Sequence, residues 1–379
     1  MRSDLGDFAA GASQPRWVAQ VLSGLCRAWP LQGQFMVTFA HAVGNHFGQW
    51  LSPSWQFLNP QVQQDTAAQL TLPRYSSVLL GLAVSVAEAN LWAAVTDPAR
   101  ASALNNLSCR LSDQNTVIAN ARSLSIARQS VYLYRRLAKK SPSTYLPDLA
   151  GTLSNFAERL SERHESSSRA EALRIANEAL LIFRKLAANQ RPEFRRNIAR
   201  TLHNLANVLS RQRGDPALSA ALIAVTESVA IYRALEAGSP SKYSPDLAMS
   251  LNSLANRLSE QSPTAQGAAA LDAARESVEI RRRLAQKRRF EYLPSLALSL
   301  NTFANCLFDF GEAGDRAKAL NAAREAVGIY ALLYSQVQSA FEHNFGVASR
   351  SLIRIANEQG LDGQAEWQRV IDSLRGAAE

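Results

Sequence analysis

Asparagine recurs in this chain where a helix has little use for it. At steps of 49 residues, Asn106 and Asn155 align with Asn204, and Glu158 aligns with Asn207, Asn256 and Asn305. One place earlier than the first set stand Asn105, His203, Asn252 and Asn301. Asparagine is a mediocre helix former. Its amide, however, carries a donor and an acceptor together, so it can pair with both the C=O and the N–H of another backbone. A row of such amides could hold an extended chain with little regard for its sequence. The candidate row is Asn106, Asn155, Glu158, Arg200, His203, Asn204, Asn207, Asn252, Asn256, Asn301 and Asn305. The other use for these amides is to bridge neighbouring repeats, and the sequence leaves both uses open. Met249, Leu298 and Phe308 add apolar groups towards the C-terminal end, an anchor for an apolar side chain.

Reaction chemistry is hard to assemble from the same letters. No glycine-rich phosphate loop, HExxH or GxSxG is present. His41 and His46 are five apart and so do not share a helix face as metal ligands do. Glu158 and Glu162 are an i, i+4 pair on an exposed face, where carboxylates are solvated. No catalytic residue, metal ligand or cofactor is expected. Cys26, Cys109 and Cys306 are odd in number and far apart, which fits a reducing compartment and a cytoplasmic protein. The opening "MRSDLGDFAAGASQ" has no apolar run, so no secretory signal is expected. "SSVLLGLAVSVAEANLWAAV" at 76–95 reaches spanning length, but Glu88 and Asn90 favour a buried helix over a membrane span.

The elements that must position the row are legible as a repeat. Leu104, Leu153, Leu202, Leu251 and Leu300 are 49 apart, as are Leu111, Leu160, Leu209, Leu258 and Leu307. A second block, Leu133, Ile182, Ile231, Ile280 and Ile329, keeps the same step. Tyr134, Phe183, Tyr232 and Tyr330 accompany it, and Arg281 breaks that column. Leu149, Leu153, Phe156 and Leu160 fall on one stripe of a helix. Each copy therefore reads as two helices. Pro147 is placed at a helix start, Ser244 at an N-cap, and "ERHESSSRAE" at a polar loop between the pair. Two columns stay small: Ser108, Ala157, Ala206, Ala255 and Ala304, and Ala150, Ala199, Ala248 and Ala297. Small residues there let a neighbouring helix approach closely.

"LNSLANRLSE…ALDAARESVEIRRRLA" resembles tetratricopeptide repeats, in the longer kinesin-light-chain-like variety. The resemblance covers residues 98–379. It implies an all-α, right-handed superhelix of helix pairs whose concave groove binds peptides. The period departs from the common 34, and the surplus is assigned to the loop between helices and to the linkers "AKKSPSTY" and "LEAGSPSKY". The expected organisation is an N-terminal helical unit over 1–97, five repeats over 98–342, and a degenerate C-terminal cap over 343–379.

Function follows as an α-solenoid adaptor for a protein or peptide partner, with self-association possible through residues 1–97. The alternatives are a sensor module of a larger signalling or defence system, and a basic nucleic-acid binder. The net charge of +9 permits the latter. The basic runs at 135–140 and 281–289 lie late in second helices, which argues against nucleic acid and for solvated helix ends.

Overall fold

The computed structural model describes residues 80–376 apart from 115, 164, 189–191, 213, 262 and 337. The expectations for an N-terminal unit over 1–97 therefore lie mostly outside the described residues. Among the described residues thirteen α-helices follow one another: α1 (Leu80–Ala93), α2 (Asp97–Asp113), α3 (Val117–Lys140), α4 (Pro142–Ser161), α5 (Ser166–Ala188), α6 (Arg195–Ser210), α7 (Asp215–Gly238), α8 (Ser244–Gln261), α9 (Pro263–Lys287), α10 (Arg289–Phe310), α11 (Arg316–Gln336), α12 (Gln338–Asn357) and α13 (Gly363–Gly376). No strand occurs among the described residues. The chain divides into two compact units, one ending at Leu133 and the other running from Tyr134.

In the first unit Val84 and Ala87 of α1 meet Leu104, Leu107 and Leu111 of α2 and Ala119 and Ile126 of α3 in one buried cluster. Thr96 accepts from the Ala99 N–H at 3.4 Å and caps α2. Ser108 and Ser123 are both buried, and each hydroxyl donates to the other's carbonyl, at 3.0 and 2.7 Å. Only small side chains allow two helix backbones to come that near.

The second unit is an α-solenoid. First helices α4, α6, α8, α10 and α12 pack against one another and against second helices α5, α7, α9, α11 and α13. Ala150, Ala199, Ala248 and Ala297 are fully buried. At that column Ser228 of α7 donates to the Ala199 carbonyl and Ser277 of α9 to the Ala248 carbonyl, both at 2.8 Å. The same hydroxyls reach the next first helix, Ser228 to Ser250 at 3.1 Å and Ser277 to Ser299 at 2.7 Å. Each serine thus ties a second helix to two first helices.

The extra length of the repeat lies in the helices, not in loops. Ser141 alone separates α3 from α4, and α5 begins at Ser166, inside the stretch expected to be loop. Pro142 occupies a first-turn position, where a missing N–H is harmless. Pro147 and Pro294 are consequently inside α4 and α10, in the second turn, rather than at helix starts. Ser244 does not act as a side-chain cap either. Its hydroxyl donates to Glu236, which also accepts from the N–H groups of Ser241 at 2.7 Å and Tyr243 at 2.9 Å. Partial burial raises the Glu236 carboxyl, but these three hydrogen bonds outweigh it and hold it below the usual range.

Second helices are joined by ion pairs at a constant separation: Arg135–Glu178, Arg184–Glu227, Arg233–Glu276 and Arg282–Glu325. By length and composition α7 could cross a membrane. In the solenoid its Val225, Ser228, Val229 and Tyr232 are buried, and its Glu227 holds Arg184.

Two substitutions weigh packing against surface charge. Ala255→Leu puts extra methylenes into a fully buried contact and should cost about 1–3 kcal/mol. Arg233→Ala removes an exposed ion pair and should cost under about 1 kcal/mol. Urea denaturation of the two variants checks the order; equal costs would refute it.

Candidate partner-binding face

The row singled out by type and spacing lies on the first helices, and packing sorts its members into two groups. Several amides are spent between repeats. Asn204 is buried, and its Nδ2 donates to Ser154 Oγ of α4 at 3.2 Å. Asn252 is buried and accepts from Ser299 Oγ of α10 at 3.2 Å. Asn305 donates to Ser351 Oγ at 3.3 Å and accepts from Arg354 Nη2 at 2.9 Å, both on α12. Asn207 turns back one turn to His203 Nε2 at 3.2 Å. Asn155 is half-buried, and its carbonyl accepts from Arg159 at 2.6 Å. Asn106, in the first unit, is exposed.

Other members keep unused capacity among the described residues. Asn256 of α8 is half-buried without a hydrogen-bond partner. Asn301 of α10 has a buried Oδ1 that accepts nothing. Glu158 of α4 is half-buried with no cation in salt-bridge range. Arg200 of α6 is half-buried with no carboxylate in range, and its guanidinium lies along α4 beside Gly151. Beside them Leu298 is exposed and Met249 half-buried. Phe308 is half-buried, with the Arg354 guanidinium 5.1 Å from its ring centre, so that part of the expected apolar anchor is already covered.

At the C-terminal ends of the first helices charges alternate. Arg211 donates to Ser161 Oγ at 2.9 Å and lies 4.0 Å from Glu162, while Arg257 holds Glu260 at 3.1 Å. Burial pushes the Glu162 and Glu260 carboxyls upward, against the pull of Arg211 and Arg257 respectively. The same burial lowers Arg257. Among the described residues no group of three or more His, Cys, Asp or Glu could hold a metal ion.

His203 is 4% exposed, and burial holds its imidazole below the ordinary histidine range. Its Nδ1 is buried without a partner. With Asn207 Nδ2 donating to Nε2, the neutral ring carries its proton on Nδ1. The unfolded chain then binds a proton near pH 6.5 that the folded chain resists, so this group's contribution to stability falls as pH drops below about 6.5. Wild-type protein should lose more melting temperature than His203→Asn between pH 7.5 and 5.5. Equal losses would remove His203 from the account. In parallel, Asn204→Ala should cost about 1–2 kcal/mol by stranding buried Ser154, and Asn256→Ala should stay within about 0.5 kcal/mol.

The sequence reading missed the Arg–Glu ladder, although its signal is plain. Arg135, Arg184, Arg233 and Arg282 recur at 49, and so do Glu178, Glu227, Glu276 and Glu325.

No family model matches the chain, and no curated protein does. Solved structures do resemble it. The crystal structure of BtubC (BKLC) from P. vanneervenii is 16% identical with a TM-score of 0.44, over 73% of this chain and 92% of that one. A circular tandem repeat protein with novel repeat topology and enhanced subunit contact surfaces is 15% identical with a TM-score of 0.30, over 96% and 97%. A designed self-assembling cyclic homo-oligomer is 12% identical with a TM-score of 0.15, over 89% and 99%. Likeness at this level carries no functional argument, and the solenoid is read from the chain's own helices.

Proposed function

We propose that this chain is a non-enzymatic, tetratricopeptide-like scaffold of the cytoplasm that holds a segment of a partner protein against its first helices. One observation supports the reading above others. After every inter-repeat bond is counted, Glu158, Arg200, Asn256 and Asn301 still have hydrogen-bonding capacity with no partner among the described residues. They sit on four successive first helices, α4, α6, α8 and α10, within about two turns of a common level. Polar groups that a fold leaves half-buried and unused cost stability unless something else satisfies them. A peptide backbone offers the matching C=O and N–H groups, and exposed Leu298 beside Met249 offers its side chains an apolar contact.

The test is affinity capture from host extract with the wild type and with an Arg200→Glu, Asn256→Ala, Asn301→Ala variant. Proteins held by the wild type should be lost from the variant while its melting temperature is unchanged. Capture of the same set by both would place the binding surface elsewhere.

A further inference from the structure

The short connections of the solenoid gather cations that are far apart in sequence. Second helices end, and first helices begin, at the same edge of the array, because α3 joins α4 through Ser141, and α9 joins α10 through Arg288. Neighbouring ends are in register there: Arg196 of α6 binds Asp246 of α8 at 2.9 and 3.1 Å. Along this edge Lys139, Lys140, Lys185, Arg195, Lys287 and Arg289 are exposed, with no carboxylate in salt-bridge range among the described residues. The carboxylates nearby are mostly taken: Asp246 by Arg196, Glu291 by Arg288, and Glu236 by the hydrogen bonds at the start of α8. Asp148 and Glu193 are the exceptions.

The opposite edge is built differently. There Glu162, Glu165, Glu260, Asp309 and Asp315 face Arg211, Arg163, Arg257, Arg354 and Lys318 at 4.0 Å or less. One edge is neutralised locally and the other is not. Helix dipoles explain only part of this. Lys139, Lys140, Lys185 and Lys287 lie in last turns, where cations are favoured. Arg195 and Arg289 open α6 and α10, where the dipole disfavours them.

We infer that this edge binds the phosphate backbone of a nucleic-acid duplex without reading its sequence. First helices pack side by side at about 8–10 Å, so the three steps from the α3–α4 connection to the α9–α10 connection span roughly 25–30 Å. That is close to one turn of a duplex, about 34 Å. A protein partner needs buried anchors, and exposed lysines supply none. A duplex, with about one charge per 1.7 Å, needs only cations and the release of its counterions. Tyr243 on this edge has Arg196 and Lys242 over its ring at 5.9 and 5.4 Å, and Phe194 packs on Phe183, so both rings serve the protein itself. This points away from single strands stacked on aromatics and towards backbone contact alone. The site is separate from the first-helix face, so either can fail without the other.

The test is fluorescence anisotropy of the full chain with labelled DNA and RNA duplexes of about 30 base pairs. Six phosphate contacts predict about a 1,000-fold loss of affinity between about 50 and about 200 mM salt. Lys139→Gln with Lys140→Gln, and separately Lys287→Gln with Arg289→Gln, should each flatten the log–log salt slope by about 2 units. Arg350→Gln, on exposed α12 surface, should leave it unchanged. Absence of binding at about 50 mM, or unchanged slopes in both double variants, overturns the inference. So does tighter binding of a poly-glutamate peptide or of phosphatidylserine vesicles than of the duplex at equal charge and salt.

Discussion

Everything in the second unit depends on how closely its helices approach at the alanine columns. Ala150, Ala199, Ala248 and Ala297 present no side chain that could hold a neighbour away. Ser228 and Ser277 exploit the gap and bond backbone carbonyls that already serve their own helices, using the second lone pair. A hydroxyl that must meet a particular carbonyl fixes the rotation of its helix as well as its distance. Since a residue turns through about 100° on a helix, that fixed rotation decides which groups face a neighbouring repeat and which face outward.

The Arg–Glu ladder plays a different part. Its members are exposed, so each pair contributes little to stability. Its value is in register. Four pairs share one sequence separation, and a slip of one residue in any second helix would carry its arginine away from the matching glutamate. Packing supplies the stability and the outer charges agree with it, a consistency between levels that disfavours alternative stackings.

The fold was largely legible because two periods reinforce each other. Leu153, Phe156 and Leu160 mark a helix by spacing, and their recurrence at 49 marks a repeat. The helix ends were not legible. Letters such as Ser143, Thr144 and Pro147 read as linker by composition, yet Pro142 opens α4 and the chain is helical through all of them. Tertiary contact overrode local preference, since Tyr145 and Leu146 are half-buried. The candidate face was legible in its residues but not in their partners. Nothing in the letters says that Asn204 meets Ser154, or that Asn305 is claimed by both Ser351 and Arg354. Those bonds depend on helix rotation, which a one-dimensional pattern does not carry. The basic edge was equally hidden, because the fold brings together cations from connections that lie one or more repeats apart in sequence.

Arg281 shows how one departure from the pattern reshapes a local interior. It stands where other repeats carry Tyr134, Phe183, Tyr232 or Tyr330, and it is 4% exposed. Its guanidinium donates to the Ser295 carbonyl at 2.5 Å and to Ser299 Oγ at 2.7 Å. Ser299 in turn donates to Asn252, and its hydroxyl also meets Ser277. A buried charge demands such donors and acceptors around it, and Ser295, Ser299, Ser277 and Asn252 supply them between α8, α9 and α10. Asn252 is drawn into that network and withdrawn from the outer face. Asn256 and Asn301, on the same two helices but outside the network, keep their capacity. In this repeat Asn252 is structural because it joins the network around Arg281, whereas Asn204 and Asn305 are claimed by Ser154, Ser351 and Arg354 without any such buried charge.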